Sequence, residues 1–188
     1  QQLGVPVRII ELSRVAQVVD GLQAGDLDFT FTNATEARAR LVDFTPPLMR
    51  LELGYLARPG SAIQRIEQVD QAGVRIGVSQ GSSSQTALPR VLRLASLVAL
   101  PSLAEAASEL KAGRIDLFAT NKGILFELAD QVPGAQVLSG RWGLEQLAIA
   151  IPKGRAPAMP WLREFAQHGR DSGQVAAMAS RAGLRGLA

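Results

Sequence analysis

One stretch of the sequence occurs twice, and this recurrence constrains the fold more than any other feature. Residues 22–38 read LQAGDLDFTFTNATEAR, and residues 110–122 read LKAGRIDLFATNK. The residues that coincide are Leu22, Ala24, Gly25, Asp28, Thr32 and Asn33 with Leu110, Ala112, Gly113, Asp116, Thr120 and Asn121. Each copy reads as the end of a helix, a glycine turn, an Asp-led apolar strand and a Thr-Asn tip. The recurrence therefore predicts two α/β units of similar design.

The Thr-Asn tips are the part of the repeat that favours a function. Apolar residues on both faces of each strand suit a mostly parallel sheet covered by helices, where ligands bind beyond the carboxyl ends of the strands. If the tips of the two units face one another, the space between them is a binding cleft. Thr32, Asn33 and Asn121 are therefore candidate ligand-binding residues. Turn and cap chemistry alone accounts for the other repeated pairs, Gly25, Gly113, Asp28 and Asp116.

Composition excludes several classes of function. The 188 residues are 47% hydrophobic and 20% charged, which is typical of a globular protein, and no apolar run approaches the ~20 residues of a membrane span. The net charge of +3 is spread along the chain and aromatics are 5%, so no nucleic-acid surface is predicted. Cysteine is absent and His168 is the single histidine, which argues against thiol catalysis, a Ser-His-Asp triad and His-rich metal sites. No cofactor is predicted.

Periodicity gives a coarse order of elements along the chain. The predicted strands cover residues 5–11, 29–32, 51–58, 74–79, 97–100, 135–138 and 147–151, besides the strand of the second repeat. The predicted helices cover residues 15–24, 85–92, 103–112, 123–130, 159–168 and 173–182. Residues 1–3 read as the end of a helix already under way, without a signal peptide, so we expect the chain to begin inside the fold.

A glycine and three serines follow the predicted strand 74–79. Ser82, Ser83 and Ser84 come directly after Gln80 and Gly81 and before a predicted helix. A glycine turn with hydroxyls at a helix start presents free backbone N–H groups and the positive end of the helix dipole. This pattern predicts an anion-binding turn, although an ordinary serine N-cap explains it as well.

Four segments in order along the chain resemble the bacterial extracytoplasmic solute-binding proteins of the amino-acid-binding type, the ligand receptors of ABC transporters. Thr35 to Arg38 followed by Val42-Asp43-Phe44-Thr45-Pro46-Pro47 is similar to the family's Thr-x-x-Arg and Asp-Phe-Ser-x-Pro signature. The other three similar segments are residues 78–84, 113–121 and 147–154. The resemblance implies an α/β fold of two lobes, each with a mostly parallel sheet flanked by helices, and a ligand cleft between them.

The resemblance also implies lobe boundaries and a hinge. Lobe 1 would comprise residues 1–51 and 147–188, and lobe 2 residues 52–146. Two strands would cross between them, near residues 50–54 and 145–148. Gly54 suits a hinge because its backbone can absorb a dihedral change. The family's first strand precedes the point at which this chain begins, so we expect lobe 1 to lack it.

Matching positions imply roles for the site residues. Arg38 would clamp a ligand carboxylate with its planar fork of donors. Asn33 and Thr32 would help to hold the ligand from lobe 1, and the serines at 82–84 from lobe 2. Asn121 departs from the family, which usually has an Asp there for the ligand's α-ammonium group. Either the ligand lacks an α-ammonium group, or its positive charge is matched by Glu145 or by another residue that the sequence does not identify. Of these, we favour a small carboxylate or a modified amino acid over a standard amino acid.

The expected function is capture of a small carboxylate-bearing solute by closure of the two lobes, and delivery to an ABC permease from a periplasmic location. Two alternatives remain from the sequence. The same fold serves as the ligand-sensing domain of signalling receptors and transcriptional regulators. A dehydratase-like enzyme is the other, but a single cleft carboxylate, Glu145, gives little support for acid-base catalysis.

Overall fold

A computed structural model describes residues 4–12 and 15–188 of the chain. In this part, the helices are α1 Val15–Ala24, α2 Glu36–Ala39, α3 Ser83–Ala87, α4 Leu103–Lys111, α5 Lys122–Gln131, α6 Met159–Asp171 and α7 Gln174–Arg181. The strands are β1 Thr30–Asn33, β2 Val42–Phe44, β3 Met49–Ala57, β4 Arg75–Ser79, β5 Ser96–Leu100, β6 Leu117–Asn121, β7 Gln136–Val137 and β8 Gly143–Pro152. None of the helices in the described ranges is long and apolar enough to cross a lipid bilayer.

The strands form one continuous mixed sheet in the order β1-β8-β3-β6-β4-β5, with β2 paired to β8 and β7 paired to β3. Parallel pairing, which the sequence predicts for most of the sheet, joins β4 to β5 and β4 to β6. The remaining pairs are antiparallel because β3 and β8 run in the opposite direction to the strands beside them.

Two long strands connect the halves of the molecule. The first part of β3, Met49 to Leu53, pairs with β8, and its second part, Leu53 to Ala57, pairs with β6. Beyond its pairing with β3, β8 continues to β1 and β2. Within β3, Gly54 keeps extended strand pairing, and a Cβ there would lie 3.2 Å from the Lys122 side chain. Close packing is therefore a reason for this glycine, in addition to the flexibility that the sequence suggests.

The buried apolar residues separate into two groups of clusters on either side of these strands. Two clusters, centred on Phe118 and Ile76, draw on residues within the range 55–142. The other two, centred on Ile149 and Leu22, draw on residues up to 48 and from 149 onward. We call the halves lobe 2 and lobe 1. The boundaries at residues 51/52 and 146/147 stay a prediction, which this separation of cores supports.

Both copies of the repeat adopt the predicted helix, turn and strand. α1 and α4 end at glycines in the left-handed region, Gly25 with φ of 82° and Gly113 with φ of 67°. Side chains other than glycine rarely adopt such angles. After each turn, the chain enters β1 or β6, which ends in Asn33 or Asn121. The two copies therefore place equivalent asparagines at equivalent strand ends.

The strand predicted at residues 5–11 is wrong. Residues 4–12 form no strand, and Val5, Val7 and Ile9 are 60%, 68% and 88% exposed. β1 pairs on one side with β8, and no described strand pairs with residues 5–11. An alternating apolar pattern needs a pairing partner before it becomes a strand. The helix end read at residues 1–3 lies outside the described residues.

The C-terminal tail, residues 184–188, leaves α7 and packs against β3 and α5. The Gly186 carbonyl accepts from Glu52 N at 2.8 Å, and Ala188 N donates to the Arg50 carbonyl at 3.1 Å. Arg185 forms an ion pair with Asp130 of α5. The tail therefore runs beside the strand that joins the two lobes.

Candidate functional site

Arg38 lies beside the tip of β1 because a short helix carries it there. Thr35 caps α2, its hydroxyl accepting from Arg38 N at 3.3 Å. The guanidinium Nη1 donates to Thr32 Oγ1 at 2.9 Å and to the Asn33 carbonyl at 3.3 Å. No acceptor among residues 4–12 and 15–188 engages Nε or Nη2. The tip therefore fixes one edge of the guanidinium and leaves further donors available to a ligand.

Asn33 joins both lobes through its side-chain amide. Its Oδ1 accepts from Gln146 N of β8 at 2.9 Å, and its Nδ2 donates to Ser83 Oγ of α3 at 3.0 Å. The residue is 5% exposed. Because both ends of the amide are engaged by protein, Asn33 acts in this structure as a connector between β1, β8 and the start of α3.

The three serines predicted to bind an anion have different environments. Ser82 is the N-cap of α3 and accepts from Gln85 N at 3.2 Å. Ser83 accepts from Asn33, and Ser84 is 2% exposed. The Gly81 N–H, one of the donors expected to face an anion, is taken by Gln85 Oε1 at 2.7 Å. Of the three, Ser83 is the one whose hydroxyl is hydrogen-bonded to the tip of lobe 1.

Asn121 has two structural roles at the tip of β6. Its Oδ1 accepts from Ile124 N at 3.1 Å, which caps α5, and its Nδ2 donates to Glu145 Oε2 at 2.8 Å. The amide therefore starts a helix and fixes a carboxylate of β8.

Glu145 is half-buried on β8 and lies in the field of Arg38. Burial raises the pKa of the Glu145 carboxyl, against the opposing effects of the Asn121 hydrogen bond and the Arg38 charge. Burial likewise lowers the pKa of Arg38, and the Glu145 charge opposes that shift. Each charged group is thus poorly solvated, and the opposite charge of the other group only partly offsets this loss of solvation.

The structure brings six of the eight predicted site residues into one hydrogen-bonded and electrostatic set: Thr32, Asn33, Arg38, Ser83, Asn121 and Glu145. Ser82 and Ser84 lie next to it. Sequence reasoning missed Gln146, whose backbone N–H joins the set. A main-chain donor carries no sequence signal. Among the described residues, no cluster of His, Cys, Asp or Glu forms a candidate metal site.

The two aromatic residues near the connecting strands pack against each other. Tyr55 is 2% exposed, its ring centroid lies 6.3 Å from that of Trp142, and Trp142 Nε1 donates to the Gly54 carbonyl at 3.0 Å. These contacts make both residues part of the core of lobe 2.

Comparison with known proteins identifies the family. The sequence profile of the bacterial extracellular solute-binding proteins, family 3, matches residues 1–183. This chain belongs to that family. The chain is 29% identical over 137 residues to the ABC transporter glutamine-binding protein GlnH of Bacillus subtilis strain 168, covering 72% of this chain and 50% of that protein. It spans about half the length of the curated relatives it matches, 50% and 56%.

Solved structures of amino-acid-binding proteins share the fold. A putative binding component of an ABC transporter from Wolinella succinogenes, complexed with lysine, superposes with a TM-score of 0.84 at 21% identity, over 96% of this chain and 79% of that one. An ancestral amino-acid-binding protein, described as a precursor of cyclohexadienyl dehydratase, superposes with a TM-score of 0.82 at 24% identity, over 96% of this chain and 79% of that one. The fold is the two-lobe α/β fold of periplasmic binding proteins, type II.

Proposed function

We propose that this chain is the solute-capturing part of an amino-acid ABC transporter and acts outside the cytoplasm. Family membership supports binding and delivery to a membrane permease. The observation that carries the proposal for this chain is the placement of Arg38. Its guanidinium is held at the tip of β1 in lobe 1, where its charge acts on Glu145 of the connecting strand β8, and the neighbouring Asn33 bonds to Ser83 at the start of α3 in lobe 2.

The ligand we propose carries a carboxylate, which Arg38 binds through Nε and Nη2. An arginine fork matches a carboxylate with two parallel hydrogen bonds, and such charge-assisted bonds are about twice as strong as neutral ones. Partial burial strengthens the effect because water competes less for both charges. The neutral hydroxyls of Thr32 and Ser83 and the amide of Asn33 hold the surrounding geometry.

Capture by closure of two lobes is the mechanism we infer. β3 and β8 are the strands about which residues 52–146 would rotate against the rest of the chain. The Asn33–Ser83 hydrogen bond joins the lobes directly, and a ligand touching both sides would add to it. No bond of the ligand is broken in this scheme. Binding free energy shifts the population towards the closed form.

Substitution of Arg38 tests the proposal. In calorimetric titrations with the L-amino acids, we expect Arg38→Ala to weaken binding by about 10- to 100-fold, the size of one lost charge-assisted contact. Arg38→Lys keeps the charge but loses the fork, and we expect an intermediate loss. The matched control is Arg40→Ala, because Arg40 is 76% exposed and pairs with Glu36 on the surface.

Thermal unfolding of each variant without ligand establishes that the fold is retained. A ligand at 100 times its dissociation constant adds about 2.7 kcal/mol to stability, so a thermal-shift series gives a second readout of binding. If Arg38→Ala binds as tightly as the wild type, the carboxylate clamp is refuted. If the wild type binds no amino acid or carboxylic acid at all, the proposed function is refuted.

A further inference from the structure

The C-terminal tail, residues 184–188, starts in lobe 1 and packs on lobe 2. The helix before it, α7, belongs to lobe 1, since Val175 packs against an apolar cluster of that lobe. At Gly183, with φ of 65°, the chain turns away from α7, and Leu184 N donates to the Ala179 carbonyl at 2.9 Å. The residues after this turn contact α5, which is an element of lobe 2.

Arg185 makes two side-chain contacts with α5. Its guanidinium forms an ion pair with Asp130 near the end of the helix. The same group lies over the ring of Phe126, with Cζ 4.9 Å from the ring centroid. A guanidinium over an aromatic face is attracted to the electrons of the ring, in addition to the carboxylate. Arg185 therefore attaches a residue that follows a lobe 1 helix to a lobe 2 helix.

Two glycine positions show how closely the tail and α5 approach each other. A Cβ at Gly123 of α5 would lie 3.1 Å from Leu184 Cδ1 and 3.4 Å from the Arg185 carbonyl oxygen. A Cβ at Gly186 of the tail would overlap the Lys122 side chain at the start of α5. The two backbones thus pack directly against each other along the first turn of α5.

The tail also pairs with β3 at the predicted boundary between the lobes. Leu187 forms an antiparallel bridge with Leu51. On either side of this bridge, Glu52 N donates to the Gly186 carbonyl at 2.8 Å, and Ala188 N donates to the Arg50 carbonyl at 3.1 Å. The other edge of β3 is paired with β8 at these residues. The segment of β3 that joins the lobes is therefore held on both edges.

We propose that the C-terminal tail is a third connection between the lobes, beside β3 and β8, and that it favours their closed arrangement. By closed arrangement we mean the one in which Asn33 donates to Ser83 across the lobes. The tail is continuous with α7 and packs on α5, so a rotation that separates these two helices breaks or strains its contacts. Contacts that exist in one of two arrangements shift the population towards that arrangement. This inference rests on the proposed closure of the lobes and names an element that sets its equilibrium.

The test measures the distance between the lobes in the absence of any ligand. The 188 residues contain no cysteine, so Glu36→Cys in lobe 1 and Leu94→Cys in lobe 2 provide two defined sites for spin labels. Both positions are exposed, with 89% exposure for the Glu36 side chain and 61% for Leu94. Pulsed electron-electron resonance then reports the populations of the closed arrangement and of more open ones.

Arg185→Ala removes the ion pair and the cation–π contact together. In the labelled protein, we expect the ratio of closed to open molecules to fall about 3- to 30-fold, the size of one exposed ion pair together with one exposed cation–π contact. The control is Arg181→Ala, which removes the same charge from an exposed position in the last turn of α7. We expect this control to leave the distance distribution unchanged.

Gly186→Ala displaces the tail from α5 without removing a charge. We expect it to shift the population in the same direction as Arg185→Ala, because the added methyl group overlaps Lys122. Its control is Gly154→Ala. Gly154 has nearly the same backbone angle, φ of 84° against 82°, but its added Cβ would meet no atom within 4 Å. The pair thus separates displacement of the tail from backbone strain alone.

Ligand binding provides a second readout. If only the closed arrangement binds, the apparent dissociation constant rises as the closed population falls. Calorimetric titration with L-amino acids should therefore show weaker binding in Arg185→Ala and Gly186→Ala than in their controls. Unchanged distances in both tail variants, or a shift towards the closed distance, would overturn the inference while the binding function stands. If the distances shift as expected but the wild type binds no amino acid or carboxylic acid, the tail is a connection between the lobes and the proposed function is refuted.

Discussion

Asp116 and Asp28 occupy the same position of the repeated stretch, but their surroundings differ. The Asp116 carboxylate accepts four hydrogen bonds: from Arg75 N and Nε at 3.0 Å each, from Arg75 Nη2 at 3.2 Å and from Arg58 Nε at 3.2 Å. Its side chain is 16% exposed. The Asp28 side chain is 84% exposed, and its nearest cation, Arg155, is 3.8 Å away. We therefore expect the same substitution to have unequal effects at the two sites.

Asp116→Asn should lower the free energy of unfolding by about 2–3 kcal/mol. An asparagine keeps one acceptor oxygen and turns an amino group towards the arginine donors, so two of the four hydrogen bonds are lost, at roughly 1–1.5 kcal/mol each because the arginine partners are partly exposed. Arg75 and Arg58 are 42% and 37% exposed, so solvent screening reduces the direct charge contribution to about 0.2–1 kcal/mol. Asp28→Asn should stay within about 0.5 kcal/mol of the wild type.

Thermal and urea unfolding of the two variants measure this difference. For a chain of this size, we expect Asp116→Asn to lower Tm by about 4–12 °C. Burial alone would raise the pKa of Asp116, but the hydrogen bonds from Arg75 and Arg58 outweigh it and hold the pKa below its ordinary value. The stability that Asp116 contributes is therefore present above its unfolded pKa and is lost as pH falls below about 4. This reasoning is refuted if the two substitutions destabilise the protein equally. It is also refuted if the difference in stability between the two variants stays the same at acidic pH.

Three further substitutions have expected outcomes. Gly77→Ala would place a Cβ 2.6 Å from Ile115 Cδ1, and we expect a loss of about 1–3 kcal/mol in urea unfolding. Gly186→Ala would overlap the Lys122 side chain at a φ of 82°, so limited proteolysis should cleave residues 184–188 faster than in the wild type. Because folding raises the pKa of Glu145, wild-type stability should decline as pH rises through that pKa; Glu145→Gln should not show this decline in melting curves from about pH 4 to 8.

Local chemistry explains which parts of the fold could be predicted from sequence. A glycine that must adopt a positive φ, as at Gly25 and Gly113, determines where a helix ends whatever lies around it. Serine caps at Ser82 and Ser102 likewise begin α3 and α4. These features depend on a few neighbouring residues, so the sequence is sufficient to place them.

Strand formation depends on distant residues, and there the predictions were weaker. The apolar alternation of residues 5–11 resembles that of a strand, yet those residues stay exposed because no described strand pairs with them. β3 was expected to start at residue 51, but pairing with β8 extends it back to Met49. Which strands pair, and whether they run parallel, depends on how distant segments of the chain come together. The hydrophobic periodicity of one segment does not contain that information.

The candidate site shows the same division between local and distant information. The repeat predicts which residue types occupy the two strand ends. It does not predict which atoms of the protein they hydrogen-bond. Asn33 and Asn121 both bond to neighbours on β8, Asn33 to the main chain of Gln146 and Asn121 to the carboxylate of Glu145. Both repeated asparagines thus form hydrogen bonds that hold β8. The charges that would meet a ligand, Arg38 and Glu145, come from outside the aligned Thr-Asn pairs. The recurrence therefore predicts the supporting residues of the candidate site, but it contains no signal for the two charges within it.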